Sequence, residues 1–208
     1  MARDLLRTLL YHITDIGNIA EIARQGGLFS DGAMRRSGHK PQEIGYSHIK
    51  DRRLTSYRVP CVESKFVGEF VPFYYCPRSP MLFTINKGNT GLPAGNQKQI
   101  LHLVTNVDYA LQTKRRWAIS DGNAGADHAL FSNDLASLDG LDWDLIGSDS
   151  WGGKTHRKMA EFLVEDYFPW SHIHHIGCYN AAAVQSVELM LKNFEHRPKV
   201  AIHQNWYY

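Results

Sequence analysis

The chain has 208 residues, a formal net charge of +2, and is 43% hydrophobic, 21% charged and 12% aromatic. That balance excludes wholesale disorder and any collagen-like or coiled-coil architecture, and no stretch approaches the roughly 20 apolar residues a membrane span needs. The length suits one domain over residues 1–208, with a core that needs no staples.

In chain order, the leading MARDLLRTLLYHITDI looks superficially like a signal peptide. Asp4, Arg7, His12 and Asp15 interrupt its apolar run, and no small-residue cleavage site follows, so a cytoplasmic protein is expected. LLYHIT reads as a strand, and Ile16, Ile19, Ile22 and Ala23 follow at helical spacing before a Gly26-Gly27 stop. FVGEFVPFYYC (66–76) and MLFTI from Met81 are aromatic, β-branched and bounded by Pro77 and Pro80, which predicts two strands. ILHLVT and RWAIS predict two more, with a helical turn NVDYALQ between them. Residues 130–155 are rich in Asp, Gly, Ser and Asn and read as a long loop, which is uncommon in a compact domain and usually functional or disordered. EFLVEDYF fits neither period cleanly. IHHIGCY reads as a strand, AAAVQSVELMLKNF as a helix capped by Asn180, and VAIHQNWYY as a segment that closes a sheet. Short strands outnumber helices without alternating with them, which predicts an α+β domain rather than a doubly wound one.

Three cysteines, Cys61, Cys76 and Cys178, are too scattered for a disulfide framework or a CxxC metal site and read as reduced thiols. GxxxxGK[ST] and GxGxxG are both absent. His172 and His174 would share one strand face, but no partners stand at a metal-ligand spacing, and no metal is expected. Positive charge is clustered: Arg35, Arg36 and Lys40; Lys50, Arg52, Arg53 and Arg58; Lys114–Arg116; and Lys154, His156, Arg157 and Lys158. Such segregation suits an anionic ligand and equally a solvated face. Two segments carry more information. IGYSHIKDRRLTSYRVP pairs two arginines with Tyr46 and Tyr57, and on composition alone is a basic surface turn. WGGKTHRKMAEFLVEDYFPW sets Glu161 in an apolar run just downstream of cations, as a tuned carboxylate or as one salt-bridged to Lys158 or Arg157 at the surface. Together they supply cations for phosphates, aromatic faces for unstacked bases and one acid for a developing positive charge, the set that transfer onto a nucleic acid requires.

YHIT, IGYSHIKDRR, VPFYYCPRSPML and HRKMAEFLV, in that order from Tyr11 to about Trp170, resemble the DarT family of DNA ADP-ribosyltransferase toxins. The resemblance implies an ADP-ribosyltransferase fold: two packed, mostly antiparallel sheets with peripheral helices around a cleft that holds NAD⁺ bent. It implies transfer of ADP-ribose to a thymidine base in single-stranded DNA, with a sequence preference, by a toxin opposed by a macrodomain antitoxin. NAD is then the donor substrate, with no metal and no membrane partner, and a monomer is expected. Glu161 matches the family's catalytic Glu. The essential Arg aligns with Arg52, and Arg53 is the other choice and otherwise a DNA contact. His12 matches the histidine that contacts NAD. Thr14, Asn18, Leu28, Phe29, Tyr74 and Met81 are placed around the same cofactor pocket. Arg78, Lys154, His156 and Arg157 are assigned to DNA, and the loop before Glu161 to substrate recognition. A carboxylate near the ribose would stabilise the positive charge of bond cleavage. An arginine, protonated at neutral pH, is a poor general base but stabilises a deprotonated base beside it. The competing readings are another acceptor (RNA, a guanine base or a protein side chain), a catalytically silent single-strand nucleic-acid binder, and, more remotely, a metal-dependent nuclease.

Overall fold

The computed structural model describes residues 4–38 and 41–208. Met1–Arg3 of the leader-like segment and Lys40 of the first basic cluster lie outside the described residues. The first half of the chain forms β1 (Leu9–Asp15), α1 (Ile19–Arg24), β2 (Gly27–Phe29), α2 (Asp31–Ser37), α3 (Ser47–Thr55), β3 (Arg58–Val59), β4 (Lys65–Phe66) and β5 (Phe70–Tyr74). There follow α4 (Pro80–Asn86), β6 (Ile100–Asn106), α5 (Val107–Gln112), β7 (Trp117–Ser120), β8 (Phe131–Ser132), α6 (Trp143–Gly147) and α7 (Thr155–Lys158). The chain closes with β9 (Glu161–Glu165), β10 (Tyr167–Pro169), β11 (His175–Cys178), α8 (Ala181–Leu191) and β12 (Lys199–Ile202).

Eight strands make one sheet in the order β12-β11-β6-β1-β5-β9-β7-β8, antiparallel except for the β11–β12 pair. The fold is α+β as expected. Its sheets are unequal: the large one is joined by two two-stranded ribbons, β2–β10 and β3–β4, the first packed against β5 and β9. β1 and β6 pair along all of their seven residues, from Leu9↔Asn106 to Asp15↔Ile100. The main core joins Leu10, Leu103, Phe73 and Phe162 of the sheet to Ile19 of α1 and Val187 of α8. Each such side chain taken from water stabilises the fold by about 1.5–3 kcal/mol.

Five local expectations change. FVGEFVPFYYC is not one strand: β4 ends at Phe66, a 3₁₀ turn spans Val67–Glu69, and only Phe70–Tyr74 is β5. MLFTI is not a strand but lies in α4, because Ser79 Oγ accepts from Leu82 N at 3.2 Å and Pro80 occupies the first helical turn. The cap and the proline override the β-preference of Phe83, Thr84 and Ile85. IKDRR is no surface turn; it belongs to α3. The 130–155 stretch is not one loop: it holds β8, a 3₁₀ segment at Leu135–Gly140, α6 and the start of α7. Its aspartates serve as caps, Asp134 accepting from Ala136 N and Asp142 from Leu145 N. His172 ends a 3₁₀ turn before β11, so it shares no strand face with His174. EFLVEDYF resolves into β9 and β10, separated at Asp166, whose φ of 66° turns the chain. Asn180 caps α8 through Ala183 N, and Tyr207 Oη donates to Ile100 O and Gly177 O from inside the core.

His102 sits wholly buried in β6, its Nε2–H donating to Pro77 O at 2.9 Å. Burial lowers its pKa from 6.5 to about 4, the Pro77 carbonyl opposing and His203 assisting. Above pH 6.5 the ring is neutral whether the chain is folded or not; between the two values only the unfolded chain takes the proton. Complete titration therefore removes on the order of 3 kcal/mol of stability as the pH falls through that window. Thermal melts between pH 7 and 4.5 are expected to fall in Tm, and His102→Gln to fall less steeply; parallel slopes would show that His102 does not carry the acid sensitivity.

Candidate active site

Glu161 is the first residue of β9, a strand flanked by β5 and β7. Its backbone N–H donates to Ser120 Oγ at 3.1 Å, and it stands opposite Tyr74 in the β5–β9 register. The carboxylate is 1% exposed. A carboxylate so far from water must be satisfied by donors, and three reach it. Arg53 Nη2 donates to Oε2 at 2.8 Å and Nη1 to Oε1 at 3.2 Å, and the Ala124 backbone N–H donates to Oε1 at 3.0 Å. The arginine contact is the forked, charge-assisted kind, strong and directional.

α3 decides which arginine takes this place. Neighbouring residues project about 100° apart on a helix, so the two cannot share a target. Arg53 faces inward with a side chain 14% exposed, while Arg52 is exposed and lies over the Tyr57 ring at 4.9 Å. α3 reaches the sheet closely because Gly68 lies beneath it: a Cβ there would stand 2.6 Å from Leu54 and 3.2 Å from the Arg53 backbone. The geometry brings Arg53, rather than the expected Arg52, to Glu161. Arg52 stands away from Glu161, and Arg53, first assigned to DNA, is its partner. Burial disfavours the Arg53 charge, but the Glu161 carboxylate overcomes this and raises its pKa above the ordinary value. Tyr74 is pushed well up by burial and then by the Glu161 charge.

Arg53 borders a cavity of about 270 Å³. His12, Thr14, Asn18, Leu28, Phe29, Tyr74 and Met81, the seven residues expected around a cofactor, all line it. His12 Nδ1–H donates to Pro72 O at 2.9 Å. Burial lowers the His12 pKa, with the Pro72 carbonyl and Asp31 opposing, so the ring is held neutral and Nε2 is left as an acceptor. One wall is the segment from Pro41 to Tyr46, fastened by a reciprocal pair: Asn18 Nδ2 donates to Gln42 O at 2.9 Å and Gln42 N to Asn18 Oδ1 at 2.8 Å. Lys50 Nζ and Asp31 pair at 3.0 Å on another wall. A neutral acceptor, amides and an ion pair among apolar side chains suit a polar, charged dinucleotide.

Of the five residues assigned to DNA, Arg53 lines the cavity and the other four stand outside its lining. Arg78 pairs with Asp149 at 2.7 Å and lies over Tyr208 at 4.7 Å. Lys154 and Arg157 are exposed at the ends of α7. His156 packs on Gly122, where a Cβ would overlap its ring, with His128 at 4.2 Å and Asp121 at 3.6 Å. Three contributions were not read from the sequence: the Ala124 amide, the Asp31–Lys50 pair and the Asn18–Gln42 clamp. The first had a faint signal, since DGNAG is a turn sequence that exposes backbone N–H groups. Among the described residues, no group of three His, Cys, Asp or Glu could hold a metal, and no helix is long and apolar enough to cross a membrane.

A family model described as ssDNA thymidine ADP-ribosyltransferase, DarT, matches residues 11–208. A DNA ADP-ribosyl transferase of Thermus sp. strain 2.9 is 37% identical over 206 residues, 97% of this chain and 96% of the relative. The solved structure of Thermus sp. 2.9 DarT in complex with ADP-ribosylated ssDNA superposes with a TM-score of 0.90 at 36% identity, over 97% of both chains. The same protein in complex with NAD⁺ gives 0.86 at 33% identity over 100% of both.

Removing one member of a buried ion pair strands the other. Arg53→Met is therefore expected to lower the unfolding free energy by about 3–5 kcal/mol. Arg52→Met, which loses an exposed cation–π contact, is expected to lose at most about 1 kcal/mol. Urea unfolding of both variants measures the difference, and equal losses would contradict the burial assigned to the Arg53–Glu161 pair.

Proposed function

The chain belongs to the DarT family and is an NAD-dependent DNA ADP-ribosyltransferase, and on that premise we propose that its acceptor is a thymidine base in single-stranded DNA, modified with a sequence preference. The observation that carries this reading is the buried Glu161–Arg53 pair beside a cavity bordered by every residue expected to hold the donor. Support for a single-stranded acceptor comes from the family description and from the Thermus DarT complex with ADP-ribosylated ssDNA.

In this reading the chain does four things. His12, fixed as the Nδ1–H tautomer, presents Nε2 to a donor group of the bound dinucleotide. The wall fastened by Asn18 and Gln42 holds the dinucleotide in place against Tyr74 and Met81. Glu161 stabilises the positive charge that develops on the ribose as its bond to nicotinamide breaks. Arg53 lines the cavity and pairs with that carboxylate, and is the cation beside which a thymine ring nitrogen loses its proton to water; the guanidinium favours the deprotonated base without acting as a base itself, and the nitrogen bonds to the ribose carbon as nicotinamide leaves. Glu161 and Arg53 therefore take the catalytic roles, and Arg52 none. Lys154, His156 and Arg157, on and beside the short helix that leads to Glu161, are placed to hold phosphates of the acceptor strand. Arg78 joins them from the other side of the loop through its Asp149 contact. The biological setting that goes with the family is a toxin, with a macrodomain partner that removes the modification.

The deciding experiment incubates purified protein with NAD⁺ and short oligonucleotides, then maps the added mass to a nucleotide. Labelling of thymidine in single strands is expected, with little in duplexes; a label on guanine, RNA or protein would overturn the acceptor. Glu161→Ala is expected to keep NAD⁺ binding while losing at least about a hundredfold in transfer; retained transfer would remove it from the chemistry. Oligonucleotide affinity is expected to fall with added salt, because phosphates are being neutralised, and a flat titration would contradict the phosphate contacts.

A further inference from the structure

Lys158 is a buried cation that the chemistry above does not use. It is 2% exposed, and its Nζ donates to Ile146 O at 2.5 Å and to Ser148 O at 2.7 Å. Cys76 lies just beyond β5; burial raises its thiol pKa, and the Lys158 charge opposes this. None of these partners lines the NAD cavity. Ile146 lies at the end of α6, where a helix leaves carbonyls without internal partners. Lys158 itself ends α7, three residues before Glu161.

One side chain thus joins the two stems of the segment that runs from Asp149 to Lys154. The segment between the stems is fastened further out: Asp149 pairs with Arg78, and the Trp151 ring packs edge-on against Phe83 at 5.6 Å and Tyr208 at 6.2 Å. A buried ammonium is a costly way to fill space, since an apolar side chain of the same volume is often as stabilising. What a cation offers here is directionality. It demands carbonyls at fixed positions, and it receives them from the far stem.

We propose that Lys158 is a positioning residue that sets the stem geometry of the 149–154 loop, and so the affinity for the acceptor strand, while leaving NAD⁺ binding alone. The proposal rests on the DNA-transfer reading above and adds a division of labour to it. The NAD cavity is lined mainly by β1, β2, α2, α3 and the 41–46 segment and meets the α7 end only at Met159, whereas the acceptor loop is calibrated by one ammonium on α7.

The test is Lys158→Met, which keeps the length and removes the donor. The KM for a thymidine oligonucleotide is expected to rise about tenfold or more, with NAD⁺ affinity within about twofold of wild type. Hydrogen exchange is expected to accelerate at amides 148–154 by about tenfold, with the amides of β1 and β6 unchanged. Lys158→Arg, which can still donate to both carbonyls, is expected to recover most of the oligonucleotide affinity. Lys158→Gln, which can still reach one carbonyl, is expected to fall between and serves in place of Lys158→Met should that variant not fold. Unchanged KM with unchanged loop exchange would overturn the proposal, as would NAD⁺ affinity and sheet protection falling in step with KM. A wild-type protein that labels no oligonucleotide would instead refute the function proposed above, and the exchange measurement would still decide whether Lys158 sets the loop.

Discussion

A carboxylate with 1% of its surface exposed imposes conditions on everything near it. Glu161 has to be met by donors from outside its own strand, and they come from two distant parts of the chain: the α3 guanidinium of Arg53 and the backbone amide of Ala124 beyond β7. The close seat of α3 over Gly68, the turn after Ser120 and the register that sets Tyr74 beside Glu161 all answer to that requirement. Arg53 pairs with the buried carboxylate and also lines the cavity, so one ion pair connects the two.

Around the pair, the cavity and the loop proposed to meet the acceptor are built from different materials. The donor cavity belongs to the regular framework: His12 and Thr14 come from β1, with its seven paired residues, and Tyr74 from the end of β5. Its polar groups are fixed by local hydrogen bonds, which hold His12 in one tautomer and the 41–46 segment against Asn18. The proposed acceptor side rests on short elements, α6 and α7, held by capping aspartates, an aromatic contact and a buried lysine. In the proposed reading, rigid placement suits a donor that must be held for cleavage, and a separately fastened loop suits an acceptor strand.

Much of this arrangement was legible in the sequence, for identifiable reasons. LLYHITD and ILHLVTN read correctly as strands because they are short, largely apolar runs, and they are buried almost throughout. The α8 helix read correctly through the Asn180 cap. MLFTI misled because its side chains favour strands while a serine cap and a proline start a helix. Motif resemblance led to Glu161 and to the residues of the cavity wall, and between the two adjacent arginines it favoured Arg52, whereas Arg53 is the one that meets Glu161. That choice depends on the rotation of α3, which is set by Leu54 and Arg53 against Gly68, a contact between residues that no local pattern connects. The Ala124 amide was invisible for a simpler reason: a backbone donor leaves no side-chain signature.

The central claim is that Arg53 and Glu161 act as one unit, and a double-mutant cycle on single-turnover transfer tests it directly. If they do, Arg53→Ala, Glu161→Ala and the double variant lose comparable amounts of rate, because either change already disables the pair. Losses that simply add in the double variant would mean that the two side chains work independently, and that the ion pair joining them is structural only.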